Sequence, residues 1–282
     1  MTERILICTD LDRTLLPNGS ALESPRARPL FKRLVARPEI LLAYVSGRHK
    51  ALVKEAIVEY DLPSPDFVIG DVGTTLYDIN RNDWLASEAW AAEIAPDWAG
   101  YDHQRLQTLL AGFAGLTPQE AAKQNRFKLS YYLPMDMNTE QLLLDMQTLL
   151  RANGIRAELI YSIDEAERVG LLDVLPASAT KFHAVEFLMK QLGIDVAHSV
   201  FAGDSGNDLP VMASAVQAVL VANASPEVRQ EAQTLAKQQG NEATLYQAKG
   251  QFLGMNGNYA AGILEGVAHY LPHTLDWMHA NE

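Results

Sequence analysis

Short apolar runs separated by helical patterns constrain the fold of this chain more than any other feature. The runs at 4–9, 39–45 and 66–70 lack the alternation of a half-exposed strand, so each predicts a strand buried on both faces. Helical patterns at about 25–36 and 48–60 lie between them. Strands and helices that alternate in this way predict right-handed crossovers in a parallel sheet. The sequence therefore predicts an α/β fold with a doubly wound parallel sheet.

The pattern changes after Thr75 and indicates an inserted module. The segments 126–133 and 155–161 alternate apolar and polar residues, as strands with one polar face do, and helical patterns occupy 103–114 and 138–153. We expect the doubly wound pattern to resume at Leu171–Leu175, so that residues 1–79 and 170–282 form the main domain and residues 80–169 an inserted α+β domain. The later elements predicted for the main domain are helices at 180–192, 207–214, 225–237 and 257–271 and strands at 199–202 and 217–221.

Two carboxylates directly follow the first predicted strand. Asp10 and Asp12 leave the strand end toward the crevice in which open α/β sheets bind ligands. Two ionised carboxylates in a dry site repel each other, and a divalent cation would remove that conflict. For an isolated Asp-x-Asp, a turn at the strand end with a capping role is the alternative.

Two further clusters offer groups that bind anions. Ser46-Gly47-Arg48 follows the second strand at a predicted helix start, where a hydroxyl, free N–H groups and the helix dipole favour an anion. Taken alone, Ser46 could be only an N-cap. Lys181 begins a later predicted helix, where its charge opposes the dipole, and an anion between them would explain it. Taken alone, Lys181 would be a solvated surface lysine.

A glycine-rich acidic loop follows the strand predicted at 199–202. Asp204, Asn207 and Asp208 are hard oxygen ligands suited to Mg²⁺, and Gly203 and Gly206 allow the backbone to turn tightly. By itself this segment could be a turn-rich loop without a metal. All four clusters follow strands of one predicted sheet, so together they indicate a single site for a cation and an anion.

The charge balance narrows the class of partner. With 23 Lys and Arg against 35 Asp and Glu, the net charge is −12, which argues against nucleic acid and anionic membranes as partners. No segment approaches the ~18 apolar residues of a membrane span, and the apolar run near the N-terminus is too short for a signal peptide. The single cysteine, Cys8, excludes an intrachain disulfide. We expect a cytoplasmic protein, with a monomer as the default state.

The four clusters resemble motifs one to four of the haloacid dehalogenase (HAD) superfamily, over nearly the whole chain. The matching segments are Asp10-Leu11-Asp12-Arg13-Thr14, Ser46, Lys181 and Gly203-Asp204-Ser205-Gly206-Asn207-Asp208. The form of the last motif and the insertion between motifs two and three are similar to the type IIB cap class. The segments 71–77, 46–48 and 258–263 further resemble sucrose-6-phosphate phosphatases and related glycosyl-phosphate phosphatases. The resemblance implies a HAD-like Rossmannoid core with an inserted cap.

The resemblance also implies a Mg²⁺-dependent phosphatase that works through an aspartyl-phosphate. Asp10 would be the nucleophile, and Asp12 would protonate the leaving sugar oxygen and then accept a proton from the attacking water. Mg²⁺ would be held by Asp10, the backbone carbonyl of Asp12 and Asp204, with Asp208 and Asn207 orienting the site from behind.

The remaining roles implied by the resemblance concern the phosphate and the sugar. The phosphate-binding groups would be Ser46, Gly47 and Lys181. The insert would be a lid that excludes water and reads the leaving group. Arg48 and Lys128 are candidates for sugar contacts, and Asp164 could accept hydroxyls of the sugar. A solvated strand for Lys128 and a surface loop for Asp164 are the alternatives.

The expected substrate is a sugar phosphate. Sucrose-6-phosphate is the first choice, and mannosylfructose-phosphate, glucosylglycerol-phosphate or another hexose phosphate are alternatives. A phosphomutase acting on hexose phosphates would use the same groups. A non-catalytic binding partner of a glycosyl-phosphate synthase is the alternative from a different class, although Asp10, Asp12 and Lys181 would be expendable for binding alone.

Overall fold

The computed structural model describes residues 4–80, 83–165 and 167–279. The chain divides into two compact units, Met1–Leu85 with Lys181–Glu282, and Ala86–Thr180. These breaks come later in the chain than the predicted ones, which were placed after residues 79 and 169. Residues 1–3 and 280–282 of the predicted main domain lie outside the described residues.

Twelve strands form two sheets within the described residues. They are β1 Ile5–Thr9, β2 Ile40–Val45, β3 Phe67–Gly70, β4 Thr75–Asn80, β5 Asp83–Ala86, β6 Thr117–Pro118, β7 Leu129–Leu133, β8 Ala157–Asp164, β9 Val169–Pro176, β10 Ser199–Gly203, β11 Gln217–Leu220 and β12 Leu245–Gln247. The larger sheet has the order β12-β11-β10-β1-β2-β3-β4-β5, and its strands from β12 to β3 run parallel. This large, mostly parallel sheet confirms the predicted α/β class.

The central position of β1 in this sheet follows from its sequence. All five of its residues are buried, and it pairs in parallel with β10 on one side and β2 on the other. A strand without polar alternation can lie only where both faces are covered. The carboxyl ends of the neighbouring strands β10, β1 and β2 therefore lie side by side at the same end of the sheet.

Ten α-helices accompany the sheets among the described residues. They are α1 Ala27–Val35, α2 Lys50–Glu59, α3 Glu88–Ile94, α4 His103–Leu110, α5 Thr139–Ala152, α6 Lys181–Leu192, α7 Leu209–Met212, α8 Pro226–Gln238, α9 Ala260–Tyr270 and α10 Leu275–His279. Helix α9 approaches β11 closely because it carries glycines on the contact face. A Cβ at Gly266 would lie 2.1 Å from Val219 Cγ2, and one at Gly262 would lie 3.0 Å from Val221 Cγ1.

The second unit is an α+β module with an antiparallel sheet of order β6-β7-β9-β8. Its core includes Trp90, Trp98, Met146 and Leu172, all of which are buried. Asp97 is also buried, and its Oδ2 accepts a hydrogen bond from the backbone N–H of Ser178 at 2.6 Å. That bond connects the C-terminal part of the unit to the segment that follows α3.

The prediction that Leu171–Leu175 returns the chain to the main sheet was wrong. The strand is β9, and it pairs antiparallel with both β7 and β8 in the smaller sheet. Alternate residues of β9 are only partly buried. The apolar run Leu171-Leu172 is thus compatible with a strand that has one fully covered face. The length of an apolar run does not distinguish such a strand from one buried on both faces.

The sequence did not predict β4 and β5, which extend the main sheet beyond β3. The chain reverses at Asp71 (φ 52°), Val72 (φ 61°) and Gly73 (φ 98°), and β4 then pairs antiparallel with β3. A valine in the left-handed region is uncommon, so residue preference alone does not predict this turn.

Among the described residues, the structure contains no helix that is both long enough and apolar enough to cross a membrane.

Candidate active site

Two neighbouring strands bring distant carboxylates together. Asp10 directly follows β1, and Asp204 directly follows β10. The parallel register pairs Thr9 with Ala202, and the backbone N–H of Asp10 donates to the carbonyl of Ala202 at 2.9 Å. The two acidic side chains therefore start from the same edge of the sheet.

A cluster of three buried carboxylates lies at this edge. One oxygen from each of Asp10, Asp204 and Asp208 lies within 4.8 Å of the other two, and the residues are 5%, 2% and 0% exposed. Oδ1 of Asp204 accepts a hydrogen bond from Thr14 Oγ1 at 3.2 Å. Its Oδ2 is buried and receives no hydrogen bond from the described residues. Arg13 Nε lies 3.4 Å from this oxygen as an ion-pair partner that forms no hydrogen bond, so a divalent cation with a preference for oxygen ligands still fits the place.

Lys181 neutralises part of this cluster. As the first residue of α6, it is 4% exposed, and its Nζ lies 3.0 Å from Asp10 Oδ1 and 2.7 Å from Asp208 Oδ1. Burial alone would lower the pKa of Lys181, but the attraction of Asp208 and Asp10 raises it. The lysine is therefore a fixed positive charge, and the anions beside it include the protein's own carboxylates.

Burial and the neighbouring acids shift the pKa values of Asp10 and Asp204 upward, which makes their charged forms less favourable than in water. Burial, and then the neighbouring Asp208 and Asp204, raise the pKa of Asp10 to about 7 against the opposing effect of Lys181. Burial and Asp208 likewise raise the pKa of Asp204. One lysine does not offset three buried acids, so the site as built has affinity for a further positive charge.

The glycine-rich loop fixes Asp208 behind the cluster. Oδ2 of Asp208 accepts the backbone N–H groups of Asp204 and Ser205, both at 3.1 Å. This arrangement requires glycine at position 203, because a Cβ there would lie 2.5 Å from Asp208 Cγ. Oδ1 of Asn207 accepts from Lys181 Nζ at 3.0 Å. Asp208 and Asn207 thus hold the loop and the lysine in place.

Asp12 does not join the carboxylate cluster with its side chain. Arg48 binds it with two hydrogen bonds, Nε to Oδ2 at 2.8 Å and Nη2 to Oδ1 at 2.6 Å. Asn18 Nδ2 adds a third, to Oδ1 at 2.7 Å. Burial alone would raise the pKa of Asp12, but the hydrogen bonds from Arg48 and Asn18 lower it below its ordinary value. Arg48, which was expected to contact a sugar, is bound to Asp12 in this structure.

The predicted phosphate-binding segment lies at the end of β2. Ser46 is fully buried, its Oγ accepts the backbone N–H of Arg48 at 3.2 Å, and Gly47 is exposed. Helix α2 begins at Lys50, two residues later than predicted. The hydroxyl hydrogen of Ser46 remains available because a serine oxygen that accepts one bond can still donate another.

Lys128 and Asp164, the two candidates from the insert, belong to the second unit. Lys128 precedes β7, is 8% exposed, and places Nζ 3.6 Å from Asp173 Oδ2. Asp164 ends β8, and its Oδ1 accepts the backbone N–H of Glu167 at 3.1 Å. The buried lysine with its acidic partner differs from the solvated strand residue considered as the alternative.

Three residues around the motif after β1 were given no individual role from the sequence. Thr14 donates to Asp204, and Arg13 places Nε 3.4 Å from Asp204 Oδ2. Asn18 contacts Asp12. The dipeptide Asn18-Gly19 is a turn signal that could have indicated a return of the chain toward Asp12.

Comparison with known proteins identifies relatives of the whole chain. The family described as sucrose-6F-phosphate phosphohydrolase matches residues 3–271. A Nitrosococcus oceani protein described only as HAD-like hydrolase is 54% identical over 99% of this chain and 75% of its own length. The mannosylfructose-phosphate phosphatase of Agrobacterium fabrum is 30% identical over 94% of this chain and 96% of its own. The crystal structure of the Synechocystis sucrose-phosphatase in complex with sucrose and phosphate aligns with a TM-score of 0.68 at 25% identity, over 95% of this chain and 98% of that one.

Proposed function

The chain belongs to the sucrose-6F-phosphate phosphohydrolase family of HAD-like hydrolases, and from that premise we propose that it hydrolyses sucrose-6-phosphate or a closely similar glycosyl phosphate. Membership makes it a phosphoric monoester hydrolase acting on a sugar phosphate. The observation that carries the proposed chemistry is the buried cluster of Asp10, Asp204 and Asp208 with Lys181 bound to two of its members, and the choice of sugar is supported by the named relatives.

Asp10 is proposed as the nucleophile. Its carboxylate lies 3.0 Å from Lys181 Nζ at the carboxyl edge of the sheet, where backbone geometry fixes it against β10. A carboxylate oxygen attacks phosphorus, the bond to the sugar oxygen breaks, and an aspartyl-phosphate forms. A Mg²⁺ ion held by Asp10, Asp204 and the backbone carbonyl of Asp12 would screen the repulsion between carboxylate and phosphate.

Asp12 is proposed to move the protons of both half-reactions. It gives a proton to the departing sugar oxygen, and it takes one from the water that attacks the aspartyl-phosphate. The hydrogen bonds from Arg48 and Asn18 lower the pKa of Asp12 and favour its carboxylate, the form that accepts a proton from water. To protonate the leaving oxygen, Asp12 must first bind a proton, and the negative charge of a bound phosphate would favour that by raising the pKa of Asp12.

Ser46, Gly47 and Lys181 are proposed to bind the transferring phosphate oxygens. Lys181 supplies a buried positive charge, and Ser46 supplies a hydroxyl at the end of the neighbouring strand β2. Donors fixed before the reaction stabilise the charge that develops on those oxygens.

Contacts with the sugar are proposed for Lys128 and Asp164, and for Arg48 if substrate draws it from Asp12. The relatives named for sucrose-phosphate and mannosylfructose-phosphate hydrolysis differ in the sugar that they release, so that choice is carried by residues outside the acidic cluster.

The test is phosphate release from a panel of sugar phosphates, with and without Mg²⁺. We expect the highest kcat/KM on sucrose-6-phosphate, no turnover in chelator, and no turnover by Asp10→Asn. Asp61→Asn, which changes a carboxylate whose side chain is 90% exposed, is the matched control. Turnover by Asp10→Asn at the wild-type rate would refute the nucleophile, and a preference for another sugar would change only the substrate.

A further inference from the structure

Asn18 connects the backbone of the loop after β1 to the carboxylate of Asp12. We infer that Asn18 is a positioning residue for Asp12, which sets the direction from which that carboxyl group meets the leaving oxygen. The inference rests on the proposed function, because it concerns proton delivery in phosphoester cleavage.

The two hydrogen bonds of Asn18 fix the orientation of its amide group. Its Oδ1 accepts the backbone N–H of Arg13 at 2.8 Å, and its Nδ2 donates to Asp12 Oδ1 at 2.7 Å. A backbone N–H can only donate, so the amide oxygen must face Arg13 and the NH₂ group must face Asp12. Asn18 is therefore a directed donor and not a freely rotating one.

The backbone to which Asn18 is anchored is itself held from the other side. The carbonyl of Arg13 accepts Asn223 Nδ2 at 2.6 Å, and Asn223 Oδ1 accepts the N–H of Tyr259 at 2.8 Å. Arg13 has a φ of 59°, a left-handed conformation that a non-glycine residue keeps only when its surroundings impose it. Asn18 thus transmits a fixed backbone position to Asp12.

Asn18 and Arg48 hold Asp12 in different ways. Arg48 comes from the segment after β2 and binds both oxygens of Asp12 as a cation. Asn18 comes from the same loop as Asp12 and binds one oxygen without charge. A phosphate dianion attracts the charged guanidinium of Arg48 more strongly than a neutral amide, so we expect Asn18 to keep its bond to Asp12 more readily than Arg48 when substrate binds.

The test compares two substrates that need protonation of the leaving group to different degrees. Benzyl phosphate releases an alkoxide and depends strongly on the acid, whereas 4-nitrophenyl phosphate releases a stabilised phenolate and depends on it little. The constant kcat/KM covers the steps up to alcohol release and leaves out hydrolysis of the aspartyl-phosphate. We expect Asn18→Ala to lower kcat/KM on benzyl phosphate by about 10-fold or more. The fold loss on 4-nitrophenyl phosphate should be at least about five times smaller than the loss on benzyl phosphate.

A second variant separates positioning from loop stability. Asn18→Asp keeps the oxygen that accepts from Arg13 but faces Asp12 with a second carboxylate. A purely structural role predicts near-normal selectivity for this variant, whereas positioning predicts a loss on benzyl phosphate at least as large as that of Asn18→Ala. Asn241→Ala, which removes a single side-chain bond to the carbonyl of Ala213, is the control for the loss of an asparagine hydrogen bond.

Equal losses on both substrates, or a normal benzyl phosphate rate for Asn18→Asp in folded protein, would overturn the inference and leave the phosphatase intact. Failure of the wild-type protein to release phosphate in Mg²⁺ from these esters and from every sugar phosphate of the panel would instead count against the proposed function. Urea unfolding of each variant establishes that the compared proteins are folded.

Discussion

At the scale of single residues, the buried carboxylates of the acidic cluster repel one another, and this repulsion favours binding of a cation. Asp10, Asp204 and Asp208 lie together with one lysine among them. Buried like charges destabilise the folded protein until a proton or a metal ion neutralises them. The same imbalance that costs stability in the empty site therefore provides affinity for a cation.

The pH dependence of stability follows from Asp10. In the folded protein burial raises the pKa of Asp10 to about 7, above the ordinary 3.8, so between these values the folded state binds more protons than the unfolded state. In chelator, the free energy of unfolding should fall as pH rises from about 5 to 8, by up to about 3 kcal/mol. Urea unfolding at fixed pH measures this.

Asp10→Asn is the control for that titration, because the amide removes the ionisable group and should flatten the slope over the same window. Added Mg²⁺ should stabilise the wild-type protein more at pH 8 than at pH 5, since protons and the metal ion compete for the carboxylate. A wild-type stability that rises with pH over this window, or a slope in Asp10→Asn as steep as that of the wild-type protein, would contradict this account; the raised pKa of Asp204 should leave a smaller slope in the variant.

Arg13 opposes cation binding at the edge of the cluster. Its Nε lies 3.4 Å from Asp204 Oδ2, although the side chain is 53% exposed and solvent weakens the interaction. Arg13→Asn, which suits a left-handed backbone, should tighten Mg²⁺ binding about two- to fivefold in calorimetric titration. Arg126→Asn removes a surface partner of Glu88 and is the matched control. Weaker binding by Arg13→Asn would show that the guanidinium helps to form the site.

The residues of the cluster were predictable because they follow strands directly. Asp10 and Asp204 are placed by β1 and β10, and parallel neighbours must end at the same edge. The partner of Arg48 was not predictable in the same way. A long flexible side chain can reach a sugar, a phosphate or Asp12, and only coordinates distinguish these partners.

At the scale of elements, the strand-to-loop junction at Gly203 sets the position of Asp208. A Cβ at this residue would overlap the Asp208 carboxyl group, whereas at Gly206, in the same loop, a Cβ would meet no described atom within 4 Å. The loop therefore contains one glycine required for packing and one that is sterically free.

Gly203→Ala should destabilise the protein by about 1–3 kcal/mol, because the new methyl group must displace Asp208. Gly206→Ala should change stability by less than about 1 kcal/mol. Urea midpoints report the difference, and Mg²⁺ affinity should fall only in Gly203→Ala. Equal effects of the two substitutions would mean that Asp208 is not held by contact with position 203.

The elements also explain where sequence patterns were sufficient. Strands β1, β2 and β3 are buried apolar runs between helices, and such runs fit few other structures. Strand β9 has a similar composition but lies in the smaller sheet, because antiparallel partners β7 and β8 are available to it. Composition does not specify which partners a strand finds.

At the scale of the whole molecule, the net charge of −12 repels the substrate that the site binds. In the proposed mechanism positive charge is supplied locally, by Lys181 and by Arg48 if it leaves Asp12, and such short-range contacts would act only after the substrate has arrived. Binding should therefore depend on contact within the site and not on long-range attraction.

Ionic strength tests this distinction. Raising NaCl from about 0.02 to 0.2 M at constant Mg²⁺ should leave kcat/KM for a phosphate dianion unchanged or raise it by up to about threefold, because salt screens the overall repulsion. Replacing NaCl by KCl controls for a specific ion effect. A tenfold decrease would indicate that an attractive field guides the substrate.

The division of the chain at Leu85 and Lys181 has a consequence for inheritance. Every residue assigned to phosphate chemistry lies in the first unit, while Lys128 and Asp164 lie in one uninterrupted stretch, Ala86–Thr180. Exchange of the codons of this stretch would replace the two proposed sugar contacts of the second unit and leave Arg48 in place. Asp10, Lys181 and Asp204 lie outside the exchanged stretch and would be unchanged. Evolution could therefore alter the proposed sugar contacts of the second unit while the proposed catalytic residues stay the same.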